Sequence, residues 1–261
     1  MSVVTNHAKQ RLQAGKIAAG FGLSRLRTVD AASIAQSCGF HWLFIDLEHT
    51  SINVDLASQM SMAALHTGVT PLVRPSSKNP HHMTRLLDGG AMGVIVPHVD
   101  TPEEAEAIVA ACKYPPVGHR SMYGVLPQLG FAAMPPEQAI EILNDMIMVV
   151  VMIESPTAVA NAEAIAMVAG VDGLLVGTND LAAESGIPGQ LGHDRIEAAY
   201  GSVLAACHKY DKIPGMGGVY TNPLLEHYVQ MGMRMILAGA DVSFMMTAAK
   251  QRSEFLHNLK T

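Results

Sequence analysis

Residues 149–181 read VVVMIESPTAVANAEAIAMVAGVDGLLVGTNDL. The apolar run Met146–Ile153 leads into this stretch, and a second run, Leu174–Val176, lies near its end. Each has the length and unbroken apolar character of a strand buried on both faces. Between them Ser155-Pro156 opens Pro156–Val168, which has a helix-start signal and helical spacing. Strand, helix and strand make one βαβ unit, and the connection implies that the two strands run parallel. Each strand stops at an acid, Glu154 directly after the first run and Asp180 a few residues after the second.

The same alternation runs through the chain. Strands are expected near 17–22, 42–46, 70–74 and 93–96, then near 147–153, 173–176, 214–219 and 234–238. Helical stretches fall at Thr28–Ser37, Val54–His66, Pro80–Leu87 and Pro102–Ala111, and later at Pro156–Val168, Asp194–Tyr210, Pro223–Met231 and Val242–Leu256. TPEEAEAI and TNPLLEHY place Thr or Asn just before a proline of the first helical turn. Eight strands alternating with helices predict a closed (β/α)8 barrel, one domain over residues 1–261, with a doubly wound open sheet as the alternative. The Pro/Gly-rich segment 115–145 breaks the rhythm; so long a connection is usually functional or interface-forming.

Bulk properties narrow the function. A chain of 261 residues, 49% hydrophobic and 15% charged, suits one large domain. A net charge of −6 without a Lys/Arg cluster gives no nucleic-acid footprint. Cys38, Cys112 and Cys207 are widely separated, which argues against a disulfide framework and fits a reducing cytoplasm. The first residues, MSVVTNHAKQRLQAGK, lack a signal-peptide core, and no apolar run is long enough to cross a bilayer.

In a barrel the carboxyl ends of the strands form one face, where catalytic groups converge. Taken singly, Glu154 and Asp180 read as caps of the helices that follow. As a pair on adjacent strand ends they read as hard ligands for Mg²⁺, Mn²⁺ or a similar ion. WLFIDLEH brings Asp46, Glu48 and His49 to the same rim, and PLVRPS brings Arg74. An Asp three residues before a His can accept its imidazole N–H and orient it as a base. A metal, a base and a cation together suit formation of an enolate. Asp88, in LLDGGAMG, reads as a helix-end acid; GMGG at 215–218 lacks the helix start of a phosphate loop; the seventeen methionines read as core filling.

Taken in order, WLFIDLEH, PLVRP, LLDGGAMGVIVPHV, YPPVGHR, VVVMIES and VDGLLVGTNDLA resemble the HpcH/HpaI aldolases, metal-dependent pyruvate aldolases, from GFGLS to ILAGAD. The resemblance implies a divalent metal (Mg²⁺, Mn²⁺ or Co²⁺) on Glu154 and Asp180, His49 as acid/base oriented by Asp46, and Arg74 on the keto oxygen. It implies substrate contacts from Gly177, Thr178 and Asn179, and it gives Asp88 a role in a neighbouring subunit's site. It implies a homo-oligomer, a hexamer or trimer of dimers, that exchanges residues 241–258. Three positions depart from the pattern: Met152 stands where Gln is usual, Thr178 where Pro is usual, and Gly20 where an aromatic often lines the pocket. The expected activity is cleavage of a 4-hydroxy-2-oxo acid to pyruvate and an aldehyde. The alternatives are a 2-oxo-acid decarboxylase or citrate-lyase-like acyl-CoA lyase, and a non-catalytic barrel that binds a 2-oxo acid. Segment 115–145 offers only His119 and Arg120 as basic groups near its start, which weighs against a CoA diphosphate.

Overall fold

The computed structural model describes residues 3–259. After α1 (His7–Gln13), eight strands close into a barrel in chain order: β1 (Ala18–Leu23), β2 (Trp42–Asp46), β3 (Thr70–Arg74), β4 (Gly93–Val96), β5 (Met148–Ile153), β6 (Gly173–Gly177), β7 (Ile213–Gly217) and β8 (Met235–Ala240). All pairings are parallel, and β8 returns to β1 with a register shift between Gly20 and Gly22. The expected barrel is therefore present, and the open-sheet alternative is excluded. The surrounding helices are α2 (Ala31–Ser37), α3 (Val54–Ala64), α4 (Pro80–Asp88), α5 (Pro102–Cys112), α6 (Pro136–Met146), α7 (Pro156–Ala160), α8 (Ala162–Met167), α9 (Thr178–Glu184), α10 (Asp194–Lys209), α11 (Asn222–Met231) and α12 (Asp241–His257).

Strand residues alternate between two cores, as a barrel requires. One set faces the helices; the other fills the interior with Trp42, Phe44, Leu72, Ile95, Met148, Val150, Met152, Leu175 and Met235. At the amino-terminal mouth α1 inserts Ala8 and Leu12 into that interior. Asn6 caps α1 through the N–H of Lys9, and its amide donates to the carbonyl of Met146 at 2.9 Å. One end of the barrel is thus plugged, and the rim at the strands' carboxyl ends holds the reactive groups.

The space that Gly20 leaves is not open. A Cβ there would lie 2.2 Å from the Trp42 ring, which is fully buried and donates its Nε1–H to the carbonyl of Ala18 at 3.0 Å. The volume beside Gly20 on the first strand is filled by Trp42 of the second.

Segment 115–145 is more ordered than its composition suggests. It holds a short helical turn at Pro127–Leu129 and then α6, and it buries Leu126, Leu129, Ala139 and Leu143 around Tyr114. Gln128, fully buried, donates to the carbonyls of Leu87 and Ala91. The segment runs from α5 to β5, so it belongs to the plugged face and does not cover the carboxyl-end rim.

Candidate active site

β2 and β3 pair in register with Asp46 opposite Arg74, which makes the last residues of WLFID and TPLVR an ion pair by construction. Arg74 donates Nε–H to Asp46 Oδ1 at 2.9 Å and Nη2–H to Oδ2 at 2.8 Å, a two-point contact matched to guanidinium geometry. Its Nη1 lies 2.9 Å from Glu48 Oε2, and its guanidinium stacks over Phe44 at 4.9 Å. Burial works against the charge of Arg74, yet the hydrogen bond to Asp46 and the charges of Asp46, Glu48 and Glu154 raise its pKa above the ordinary value. Arg74 is therefore a fixed cation.

β5 and β6 pair Ile153 with Val176, which brings Glu154 beside Gly177. The Glu154 carboxylate leans on the face where Gly177 has no side chain: a Cβ there would meet Oε1 at 2.5 Å. Glu154 does not cap α7. Ser155 does, accepting from the N–H of Ala158 at 3.0 Å. Glu154 Oε2 accepts the backbone N–H of His98 at 2.8 Å, whereas Oε1 is buried with no partner. Burial raises the Glu154 pKa above the ordinary carboxylate range; the His98 N–H opposes this and the nearby Asp180 adds to it. Asp180 is exposed in the first turn of α9 and lines the same cavity.

That cavity, about 220 Å³, joins both acids to His49, Arg74, Met152, Gly177, Thr178, Asn179 and Tyr220. Met152 contributes an apolar wall beside Phe44 and Leu175. Thr178 faces the cavity, but its hydroxyl donates to the carbonyl of Gly217 at 2.7 Å and pairs with Tyr200 at 2.7 Å. Its side chain therefore ties β6 to β7 and α10. Asn179 is exposed on the lining.

One expectation changes. Asp46 does not hold the His49 imidazole: its carboxylate takes Arg74 and the backbone N–H groups of Glu48 and His49. The His49 ring is 65% exposed, with Nε2 3.7 Å from Glu48 Oε2, so Glu48 is its nearest carboxylate. Asp88 ends α4 on the plugged face, away from this chain's cavity, and pairs with Arg120 at 2.6 Å. Glu48, placed on the rim by the sequence, contacts Arg74, and two residues that the sequence did not mark, His98 and Tyr220, stand beside it and in the cavity lining. His98 Nε2 stands 3.2 Å from Glu48 Oε1. The only signals for these two in sequence were their places just after strands four and seven.

Among the described residues, no cluster of three or more His, Cys, Asp or Glu is arranged to hold a metal; the Glu154–Asp180 pair supplies two carboxylates. The unpartnered, buried Oε1 of Glu154 beside a second acid fits a hard cation, which would remove the penalty of two like charges. No helix among the described residues is long and apolar enough to cross a membrane.

A closed parallel barrel with an acid pair and an anchored arginine at its carboxyl-end rim defines a (β/α)8-barrel enzyme. Residues 24–248 match the model of the HpcH/HpaI aldolase/citrate lyase family, and the chain belongs to that family of carbon–carbon lyases. It is 37% identical to the 4-hydroxy-4-methyl-2-oxoglutarate aldolase tasA of Hapsidospora irregularis, over 96% of this chain and 94% of the relative. It is 34% identical to a hydroxypyruvate/pyruvate aldolase of Sagittula stellata, over 97% and 98% of the two chains. The structure of an HpcH/HpaI aldolase from Desulfitobacterium hafniense DCB-2 superposes with a TM-score of 0.91 at 28% identity, over 97% of each chain.

Proposed function

We propose that this chain reversibly cleaves a 4-hydroxy-2-oxo acid into pyruvate, or a related 2-oxo acid, and an aldehyde, with Glu154 and Asp180 holding a divalent metal (Mg²⁺, Mn²⁺ or Co²⁺). The observation that carries this is the buried, unpartnered Glu154 Oε1 sharing one cavity with Asp180 and Arg74. When bound, the metal supplies Lewis-acid polarisation of the 2-oxo acid.

Arg74 has five N–H donors; two are held in hydrogen bonds to Asp46, and Nη1 lies 2.9 Å from Glu48 Oε2 as an ion pair. The others are available to the oxygen that gains charge as the bond between C3 and C4 breaks. A donor held rigid by neighbouring carboxylates needs no reorganisation at that moment. His49, exposed at the mouth, takes the C4 hydroxyl proton directly or through one water; Glu48 is the carboxylate close enough to bias its ring. The apolar wall of Met152, Phe44, Leu175 and Leu237 keeps water from the carbanion side. Membership of the HpcH/HpaI aldolase/citrate lyase family and the aldolase activities named for the two relatives support this reading.

The test is pyruvate release over a panel of 4-hydroxy-2-oxo acids, with metal-stripped and Mn²⁺-loaded protein compared. Turnover restored by the metal is expected. Mn²⁺ bound at one per chain with no pyruvate from any member of the panel would remove the proposal.

A further inference from the structure

His98 has a backbone that histidine rarely adopts and a ring that fills no core. Its φ is +55°, in the left-handed region, and its side chain is 58% exposed. Contacts on every side hold it there. Its N–H donates to Glu154 Oε2 at 2.8 Å, and its carbonyl accepts Lys78 Nζ at 2.9 Å. Lys78 is itself paired with Glu104, whose Oε2 accepts the N–H of Asp100 at 2.8 Å. Two residues beyond His98, Asp100 takes the Ser155 hydroxyl on its carboxylate and the Asn161 amide on its carbonyl. Loops after β3, β4 and β5 thus converge on one strained residue. Strain that the surroundings over-determine, at the rim of a site, points to a function for the conformation.

The strained backbone places the ring between two carboxylates. Nδ1 lies 3.5 Å from Glu154 Oε2 and Nε2 lies 3.2 Å from Glu48 Oε1. Glu48 in turn lies beside Arg74 Nη1. Through His98, the carboxylate at the end of β5 is therefore linked to the ion pair at the ends of β2 and β3. With Oε2 engaged by His98, Oε1 is the oxygen left without a partner, against Gly177.

We propose that His98 is a positioning residue: its backbone N–H and ring hold Glu154 in the one rotamer that offers Oε1 to the metal, and its far ring nitrogen ties that rotamer to Glu48 and Arg74. The assignment rests on the reading of Glu154 as a metal carboxylate. Outer partners of metal ligands orient them, and losing one typically weakens binding by about 10- to 100-fold.

The experiment measures Mn²⁺ affinity without substrate, from the electron paramagnetic resonance signal of free Mn²⁺, in the unsubstituted chain and three variants. His98→Gly accepts the left-handed backbone and keeps the N–H to Glu154 but loses the ring; a loss of about 10-fold or more is expected. His98→Asn also tolerates that backbone and sets its amide nitrogen where Nδ1 stands, so it should recover part of the loss. Lys78→Met leaves the ring and removes the tether on the carbonyl, giving a smaller loss of the same sign. Folded His98→Gly that binds Mn²⁺ within about twofold of the unsubstituted chain overturns the assignment, because an outer partner should cost more than that. Should His98→Gly fail to fold, unchanged affinity in Lys78→Met overturns it instead. An unsubstituted chain that binds no Mn²⁺ is a separate result: it removes the metal reading of Glu154, and this assignment with it.

Discussion

At the scale of single residues, Arg74 has two roles that must be measured apart. In the proposed mechanism it is the donor aimed at developing oxygen charge, and it is also the arginine paired with the buried Asp46 and the half-buried Glu48. Arg74→Ala leaves the buried Asp46 carboxylate without its ion-pair partner, and breaking such a buried pair costs about 3–5 kcal/mol of stability. A urea titration should show that loss; a variant as stable as the parent would mean that Asp46 and Glu48 find solvent when Arg74 is gone. His49 is a cleaner probe because its ring is mostly exposed and meets Glu48 only at 3.7 Å. Aldol cleavage needs a proton taken from the C4 hydroxyl, whereas decarboxylation of oxaloacetate reaches the same enolate with no such proton. His49→Ala should therefore lose aldol cleavage by about 10²–10⁴-fold and keep most of any oxaloacetate decarboxylation the parent shows. Equal loss of both activities with metal still bound would move His49 to the enolate. Asp46, His49, Arg74, Glu154 and Asp180 could be read from the sequence because each follows the end of an apolar run. Glu48 and His98 could not be assigned roles that way: their partners lie on other strands, and only barrel closure sets those distances.

At the scale of elements, the strands were legible because burial on both faces writes them as continuous apolar runs, and the register then paired Asp46 with Arg74. Helices were less so. α9 starts at Thr178 within GTNDLAAE, two residues before the acid that read as its cap, and α6 lies in a segment whose prolines and glycines suggested a loop. Pro156–Val168, expected as one helix, is two, broken at Asn161, whose side chain turns to the carbonyl of Asp100. The pairing of Gly20 with Trp42 shows how two strands share one volume. Gly20→Ala should cost about 1–3 kcal/mol, since the indole is walled in and cannot retreat. Combining it with Trp42→Leu should recover part of that cost, a coupling measurable by a double-mutant cycle; strict additivity would mean that the backbone yields instead. A second element-level device is Asp241 at the start of α12. Its carboxylate accepts the Ser24 hydroxyl at 2.6 Å and the N–H groups of Arg25, Leu26 and Val242, which fastens the loop after β1 to the last helix. Burial pushes its pKa up, but these donors outweigh burial and the net shift is downward. A lowered carboxylate contributes stability that is complete above its ordinary pKa and is lost as pH falls through the lowered value, so the window lies below about pH 4. Asp241→Asn should be less stable than the parent at neutral pH, and the gap in urea midpoint should close as the pH drops through that window. A gap that stays constant to pH 2.5 would assign the difference to shape and not to charge.

At the scale of the whole molecule, the barrel leaves apolar surface where a lone chain has no use for it. α12 meets the body only near its start, where Phe244 stacks on Phe21 at 5.5 Å; beyond that Met245, Met246, Phe255 and Leu256 are exposed. On the plugged face Val117, Met122, Tyr123, Val125 and Phe131 are exposed as well. A 17-residue helix gains little stability in water without a packed face, so a second copy of the chain is the expected cover. Light scattering at assay concentration should give an oligomer, and Met245→Glu with Leu256→Glu should dissociate it; a parent that is an active monomer would remove the idea. Asp88 makes the assembly testable through activity. It lies away from its own chain's cavity, held by the fully buried Arg120 side chain, so any catalytic effect of Asp88 must be exerted on a neighbour. Asp88→Ala and Glu154→Ala are each expected to be inactive alone. Refolded together, they should form mixed oligomers in which an Asp88→Ala chain keeps its own Glu154 and receives Asp88 from the other variant. Activity should then reappear, and it should do so only after subunits have exchanged. If Asp88→Ala alone keeps full activity, or if mixing restores nothing, Asp88 does no more than neutralise Arg120.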